Sequence, residues 1–163
     1  AWDWDGVRFE LLHPLPGDFA QAARPNALSC VLRVQAGDGR SLLLTGDIEA
    51  AQEAALLARA GSALRSQVLV VPHHGSKTSS IEAFIGAVAP GTAVVQAGYR
   101  SRFGHPAPEV EARYRALGVE LQRSDRCGAW VWQASGSALC HRQAAARYWH
   151  HRADADVGAG AVP

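Results

Sequence analysis

The sequence predicts an α/β fold built on a mixed sheet. Residues 68–71 are a continuous run of valine and leucine, which is typical of a strand covered on both faces within a parallel sheet. From residue 68 onward the pattern alternates strand, helix, strand, helix and strand, as crossover units do. Residues 28–45 indicate two strands joined by a turn, so we expect an antiparallel hairpin before the parallel part.

Composition limits the classes of protein to which the chain can belong. A chain of 163 residues has the length of a single domain. Its 16 basic residues are nearly balanced by 15 acidic ones, which excludes the strong positive charge of a dedicated nucleic-acid binder. No run approaches the roughly 18 apolar residues that a membrane-spanning helix needs. The chain contains no methionine and begins with Ala1, from which we expect a segment of a longer protein.

The first half of the chain predicts three strands, two of them in a hairpin, and a helix. Alternating residues predict a strand over 7–12 with His13 at its exit, and Pro14 then begins a loop. The hairpin strands turn at Gly37, Asp38 and Gly39. Asp47 or a neighbour is expected to cap the alanine-rich helix 48–60, which Gly61 ends.

The second half predicts the crossover units and a tail. The predicted segments are strand 68–72, helix 80–89, strand 92–97, helix 107–117, strand 119–123 and a last strand 128–133. Ser79 or Ser80 is the expected cap of the second helix, with free N–H groups facing the same crevice. We expect one domain portion over 1–135 and a tail over 136–163, with a short helix at 142–152 and disorder after it.

The three cysteines suggest no zinc ribbon or disulfide framework. Cys30 alternates with Leu28, Leu32 and Val34, so we expect a buried thiol on a strand face. A single bridge between Cys127 and Cys140 is left open.

Polar side chains follow the predicted strands where each strand ends. Four predicted strands are followed at their carboxyl ends by such side chains, which are His13, Asp47, the His73-His74 pair and His105. Neighbouring strands of one sheet would bring these side chains together along one edge. A carboxylate with several imidazoles suits Zn²⁺, Mn²⁺ or Fe better than Ca²⁺. Each residue alone has a plainer interpretation, such as a loop histidine or a helix cap. The hypothesis of a metal site depends on the order in which these residues occur together along the chain.

The same order of motifs resembles a known family. The motifs are Asn26-Ala27-Leu28-Ser29, Leu43-Leu44-Thr45-Gly46-Asp47-Ile48-Glu49, Val71-Pro72-His73-His74-Gly75-Ser76-Lys77-Thr78-Ser79, Phe103-Gly104-His105-Pro106 and Asp125-Arg126-Cys127-Gly128-Ala129. Over roughly residues 7–133 they resemble the metallo-β-lactamase-like domain of the ComEC family, the channel proteins of bacterial DNA uptake. The signature His-x-His/Asp-x-Asp-His motif of that fold is absent from residues 1–163, so the chain resembles the second half of the domain.

The resemblance implies an αβ/βα sandwich and a place in a bacterial inner-membrane protein, on its extracytoplasmic side. It also implies two divalent ions, Zn or Mn, and hydrolysis of the DNA strand that is not imported. By resemblance His13, Asp47 and His105 are metal ligands, and Asp47 bridges the two ions. The resemblance assigns His73 and His74 to phosphate contact or proton transfer. For His74, direct binding of a metal ion is left open as well. The implied substrate-binding residues are Ser76, Lys77, Ser79, Arg100 and Arg102.

Three ligands are too few for two ions, so we expect weak metal binding and little nuclease activity from this chain alone. A catalytically dead scaffold or recognition domain is one alternative, and another hydrolase of the superfamily, such as a phosphorylcholine esterase or lactonase, is a second. The expected partners are DNA, the remaining part of the domain and the transmembrane channel. Apolar surface left exposed by the missing half predicts self-association.

Overall fold

A seven-stranded mixed sheet forms the centre of the computed structural model, which describes residues 1–21, 24–133 and 135–149. Its strands lie side by side in chain order. They are β1 (Trp2–Trp4), β2 (Val7–His13), β3 (Val31–Ala36), β4 (Ser41–Leu44), β5 (Val68–Val70), β6 (Thr92–Val95) and β7 (Glu120–Arg123). The predicted mixed α/β fold is therefore confirmed.

The pairing of neighbouring strands changes from antiparallel to parallel at β4. Strands β1 to β4 pair antiparallel, whereas β4 to β7 pair parallel, as the buried run at 68–71 predicts. Because β2 runs in the same direction as β4, the carboxyl ends of β2, β4, β5, β6 and β7 meet at one edge of the sheet, together with the start of β3. We call this edge the rim. The metallo-β-lactamase sandwich itself stays a prediction.

Three helices connect the parallel strands, namely α2 (Ala50–Ala60), α3 (Glu82–Val88) and α4 (Pro108–Ala116). Three shorter helices lie elsewhere in the chain: α1 (Asp18–Gln21) between β2 and β3, α5 (Ser124–Cys127) after β7, and α6 (His141–Ala144) near the end of the described residues. Short 3-10 turns occupy Pro25–Leu28, Gly61–Leu64 and Pro72–Gly75. The predicted tail helix is shorter than expected within the described residues, and residues 150–163 lie outside them.

The core lies between one face of the sheet and helices α2, α3 and α4. Leu43, Leu69 and Ala93 occupy matching register positions on neighbouring strands and are fully buried. Leu56 of α2, Phe84 of α3 and Tyr114 of α4 belong to the same buried cluster. Continuous packing of this kind supplies most of the stability of helices this short.

A small second sheet covers part of the opposite face. Strands β8 (Trp130–Trp132) and β9 (Ala138–Cys140) pair antiparallel. Trp132 lines a cavity of about 300 Å³ with Val34 and Leu42 of the main sheet. A disulfide joins Cys127 to Cys140, so the bridge left open by the sequence is present and ties the hairpin to the end of α5.

Three local predictions are wrong. The strand expected from Leu28 begins at Val31, because Pro25–Leu28 form a 3-10 turn, and Cys30 is consequently exposed rather than buried. Helix α3 begins after Ile81 without a side-chain cap, so neither Ser79 nor Ser80 caps it. By contrast, the prediction that Asp47 or a neighbour caps α2 is confirmed, because Glu49 is the cap, in a reciprocal capping box with Gln52.

Candidate functional site

The His73-His74 turn follows β5 at the rim and has an unusual backbone. His73 and His74 both adopt left-handed conformations, with φ of 48° and 56°. A residue other than glycine in the left-handed conformation costs of order 1–3 kcal/mol in folding free energy. Such residues persist only where the surrounding structure imposes the conformation, most often at functional sites. His73 donates its N–H to the carbonyl of Gly46 (3.0 Å), which links this turn to the loop that carries Asp47.

His74 faces Asp47 across that link. Its Nδ1–H donates to the carbonyl of Gln96 (2.8 Å), so Nε2 points toward Asp47 Oδ1 at 3.3 Å. A deprotonated Nε2 and a carboxylate are both acceptors, so this contact needs a proton or a cation between the two atoms. The pair lines a cavity of about 140 Å³, which has room for several water molecules.

His73 has a different set of partners. Its Nδ1 lies 3.4 Å from Glu49 Oε1, and Asn26 Nδ2 lies 3.4 Å from its Nε2. The hydroxyl of Thr78 donates to Glu49 (3.1 Å). Because the Asn26 amide nitrogen can only donate, Nε2 is the acceptor, and the proton of the neutral ring lies on Nδ1, on the side of Glu49.

His105 completes the row of imidazoles. Its ring centroid is 6.2 Å from that of His73, and the His73 and His74 centroids are 6.5 Å apart. The pKa of His105 is lowered from its ordinary value because burial disfavours the imidazolium, and His73 and His74 add repulsion of positive charge. Its Nδ1 is buried without a hydrogen-bond partner among the described residues, so a donor or cation could bind there.

His13 lies at the rim but is held by other residues. Its Nε2–H donates to the carbonyl of Ala27 (2.7 Å), and Nδ1 faces Arg59 (2.7 Å) and Asp18 (3.0 Å). The ring is buried, and both nitrogens already have partners. Binding a metal ion would require His13 to give up one of them, so its role as a ligand stays a prediction.

The predicted substrate-binding residues fall into two groups. Ser79 is buried and its hydroxyl donates to the carbonyls of Pro72 and Ser76, so it braces the turn, and its role in substrate binding stays a prediction. Ser76 is also buried, and its hydroxyl contacts that of Thr78 at 3.2 Å. In contrast, Lys77, Arg100 and Arg102 are exposed, and Lys77 lies 3.6 Å from Glu109.

A buried clamp holds the segment after the turn. The fully buried Glu53 of α2 accepts the N–H groups of Ser80 (2.6 Å) and Ile81 (2.7 Å). The guanidinium of Arg113 donates to the carbonyls of Ser79 and Ser80, and the hydroxyl of Tyr114 donates to that of Ser80. Helices α2 and α4 therefore fix the end of the loop that carries the two histidines.

The side chains at the rim are of types that bind metal ions, but those among the described residues form an incomplete set. Imidazole and carboxylate are the ligands that Zn²⁺ and Mn²⁺ accept. Among residues 1–21, 24–133 and 135–149, however, no three His, Cys, Asp or Glu side chains are placed to hold one ion. The described residues thus supply pairs such as Asp47 with His74, but not a complete set.

Sequence reasoning missed Glu49, Glu53 and Thr78. Glu49 lies two residues after Asp47, and Thr78 lies within the motif that contains the histidines, so position along the chain could have pointed to both. Glu53 occurs inside a predicted helix, where a glutamate is ordinarily a solvated helix former. No signal in the local sequence distinguishes it.

No family model matches the chain. It is 47% identical over 128 residues to Competence protein ComA of Neisseria gonorrhoeae, covering 78% of this chain and 18% of that protein. It is 34% identical over 122 residues to ComE operon protein 3 of Bacillus subtilis, covering 75% and 15%. Recombination protein 2 of Haemophilus influenzae is 38% identical over 97 residues, covering 60% and 11%.

The aligned region therefore spans less than a fifth of each of these relatives. Within the described residues no helix is long and apolar enough to cross a membrane.

Proposed function

This chain belongs to the family of ComEC-type competence proteins, and we propose that it is the second half of a metallo-β-lactamase-like nuclease domain. In the longer protein that domain hydrolyses phosphodiester bonds of the DNA strand that is not imported. The observation that carries the proposal is the left-handed His73-His74 turn, which is built at an energetic cost and presents each imidazole to a carboxylate at the rim.

The chain's own residues support proton transfer and phosphate contact. Gln96 orients the ring of His74, so a proton on Nε2 is held toward the cavity and can be delivered to a leaving oxygen. Glu49 lies beside Nδ1 of His73, and Asn26 lies beside Nε2 of the same ring. The exposed Lys77, Arg100 and Arg102 are available for nonbridging phosphate oxygens.

Two divalent ions, Zn or Mn, are proposed for the complete domain. Asp47, His105 and His13 would hold them, with His74 as a further candidate and the remaining ligands supplied by residues outside this chain. The buried, partnerless Nδ1 of His105 and the close Asp47–His74 contact are what support this. When bound, such ions activate water and neutralise charge that develops on the phosphate.

A scaffold or recognition domain without catalysis is the second candidate. It is favoured by the lack of three converging ligands among the described residues and by the partners that occupy both nitrogens of His13. In that case the rim would organise the channel protein and cleave nothing.

We propose that the domain lies on the extracytoplasmic side of the bacterial inner membrane. The Cys127–Cys140 disulfide supports this location, because structural disulfides persist in oxidising compartments and are rare in the cytosol. The remaining part of the domain and the membrane channel are the proposed partners, together with DNA.

The test uses the full-length protein supplied with Mn²⁺ or Zn²⁺ and labelled DNA. Asp47→Ala is expected to lower DNA cleavage by about a hundredfold or more, because it removes a ligand. Asp38→Ala is the matched control, since Asp38 lies in the β3–β4 turn at the opposite edge of the sheet, and it should leave cleavage unchanged. About two ions per chain in elemental analysis would support the nuclease. No bound metal and no cleavage would favour the scaffold.

A further inference from the structure

The loop between β6 and α4 carries two exposed aromatic rings, each covered by an arginine. Tyr99 is 45% exposed and Phe103 is 66% exposed. The guanidinium carbon of Arg100 lies 5.2 Å from the centroid of the Tyr99 ring, and that of Arg102 lies 4.8 Å from the Phe103 ring. We call these four residues the aromatic-basic loop.

The loop is a formed turn at the rim. Ser101 donates its N–H to Gly98, and Gly104 donates its N–H to Ser101. The Phe103 ring stacks on His105, with centroids 5.9 Å apart and planes inclined by 16°. Because His105 in turn neighbours His73, the exposed ring of Phe103 is continuous with the row of imidazoles.

An exposed ring beside a guanidinium is a surface with a particular chemical preference. Aromatic rings stack on unpaired bases, and arginine both stacks on bases and pairs with phosphate. In a duplex the base faces are already stacked on one another, so such a surface selects single strands.

We propose that Tyr99 and Phe103 form a base-stacking platform for single-stranded DNA, with Arg100 and Arg102 contacting the flanking phosphates. A base that stacks on Phe103 takes the place of the Arg102 guanidinium, which then turns to the backbone. The neighbouring nucleotide reaches His105 and His73. The platform rests on the proposed function. It specifies that the DNA substrate is single-stranded and names the residues that select a single strand.

The test measures binding of the 163-residue chain by fluorescence anisotropy in EDTA, so that no metal or catalysis is needed. The probes are a labelled oligothymidylate, an abasic oligomer of the same length and charge, and a duplex of that length. Phe103→Leu should weaken oligothymidylate binding by about tenfold, since stacking contributes strongly per base. Phe103→Trp should restore it. Trp4→Leu is the matched control, because Trp4 is also highly exposed but lies on β1 at the far side of the sheet.

The abasic oligomer and the duplex separate stacking from charge. If the platform exists, Phe103→Leu leaves their binding unchanged, and the original chain prefers oligothymidylate to the abasic oligomer. An equal loss with all three probes, or no loss with any, overturns the platform while the proposed nuclease can still stand. No binding of any DNA at low salt by the original chain also overturns the platform, and the proposed nuclease is then decided by the cleavage test on the full-length protein.

Discussion

Glu53 is the buried acidic residue that holds the segment immediately after the histidine turn. Its carboxylate is fully buried and accepts the N–H groups of Ser80 and Ile81, immediately before helix α3. Burial raises its pKa above the ordinary value, although the two N–H donors and the nearby Arg113 act in the opposite direction. A buried carboxylate thus connects helix α2 to the loop.

The raised pKa of Glu53 makes stability depend on pH. The folded chain keeps this proton at pH values where the unfolded chain has already lost it, so Glu53 contributes most below the ordinary glutamate pKa. As pH rises through the pKa of the folded state, this contribution is lost. Chemical denaturation at several pH values should therefore show the free energy of unfolding, relative to Glu53→Gln, falling as pH rises. A difference between the two proteins that stays constant over the pH range would contradict this expectation.

Local sequence could not reveal this residue. The alanine-rich stretch around Glu53 predicts a helix and nothing more, since a glutamate there usually faces solvent. Its burial follows from where α3 and α4 pack, which is a matter of tertiary structure. The histidines differ, because their position immediately after a buried strand already indicated the rim.

At the scale of elements, the site depends on the close approach of two rim loops. Gly75 ends the histidine turn with φ of 79°, and a Cβ there would lie 2.6 Å from Cβ of Pro106. The carbonyl of Gly75 also accepts the N–H of Ala107 at 2.8 Å. The turn after β5 and the loop after β6 are therefore joined, and this joins His73 to His105.

Gly75→Ala is expected to destabilise the chain by about 2–5 kcal/mol, combining the left-handed penalty with overpacking against Pro106. Gly86→Ala is the matched control. Gly86 lies in helix α3 with open space around it and no positive φ, so alanine should stabilise it by about 0.5–1 kcal/mol. Urea denaturation of both variants gives the comparison, and a similar small effect for both would contradict the close approach of the loops.

At the scale of the whole molecule, the two faces of the sheet are unequal. Helices cover the face that carries Leu43 and Leu69, whereas the other face is covered only in part by the β8–β9 hairpin. Trp2, Phe9 and Val34 share that second face through strand register. An apolar sheet face of this kind is expected to bind the remaining part of its domain, or another copy of the chain in its absence.

Leu11→Lys should therefore weaken self-association of the 163-residue chain by at least about tenfold, because it replaces an apolar contact with a charge on that face. Leu11 is 46% exposed and pairs with Leu32. Leu117→Lys, with 40% exposure beyond α4, is the control and should have no effect. Sedimentation velocity over a range of concentrations measures both. A chain that stays monomeric at every concentration would contradict the expectation.

The sequence by itself determined the mixed α/β class, the parallel crossovers and the exits at which His73, His74, Asp47 and His105 stand, because these follow from hydrophobic period and from the positions of glycine and proline. Only the tertiary structure decided which side chains meet there. In the folded chain His74 faces Asp47, and His73 faces Glu49. His13 contacts Arg59 and Asp18, and a disulfide joins Cys127 to Cys140. Those contacts depend on how distant loops pack against one another, and no local pattern encodes that packing.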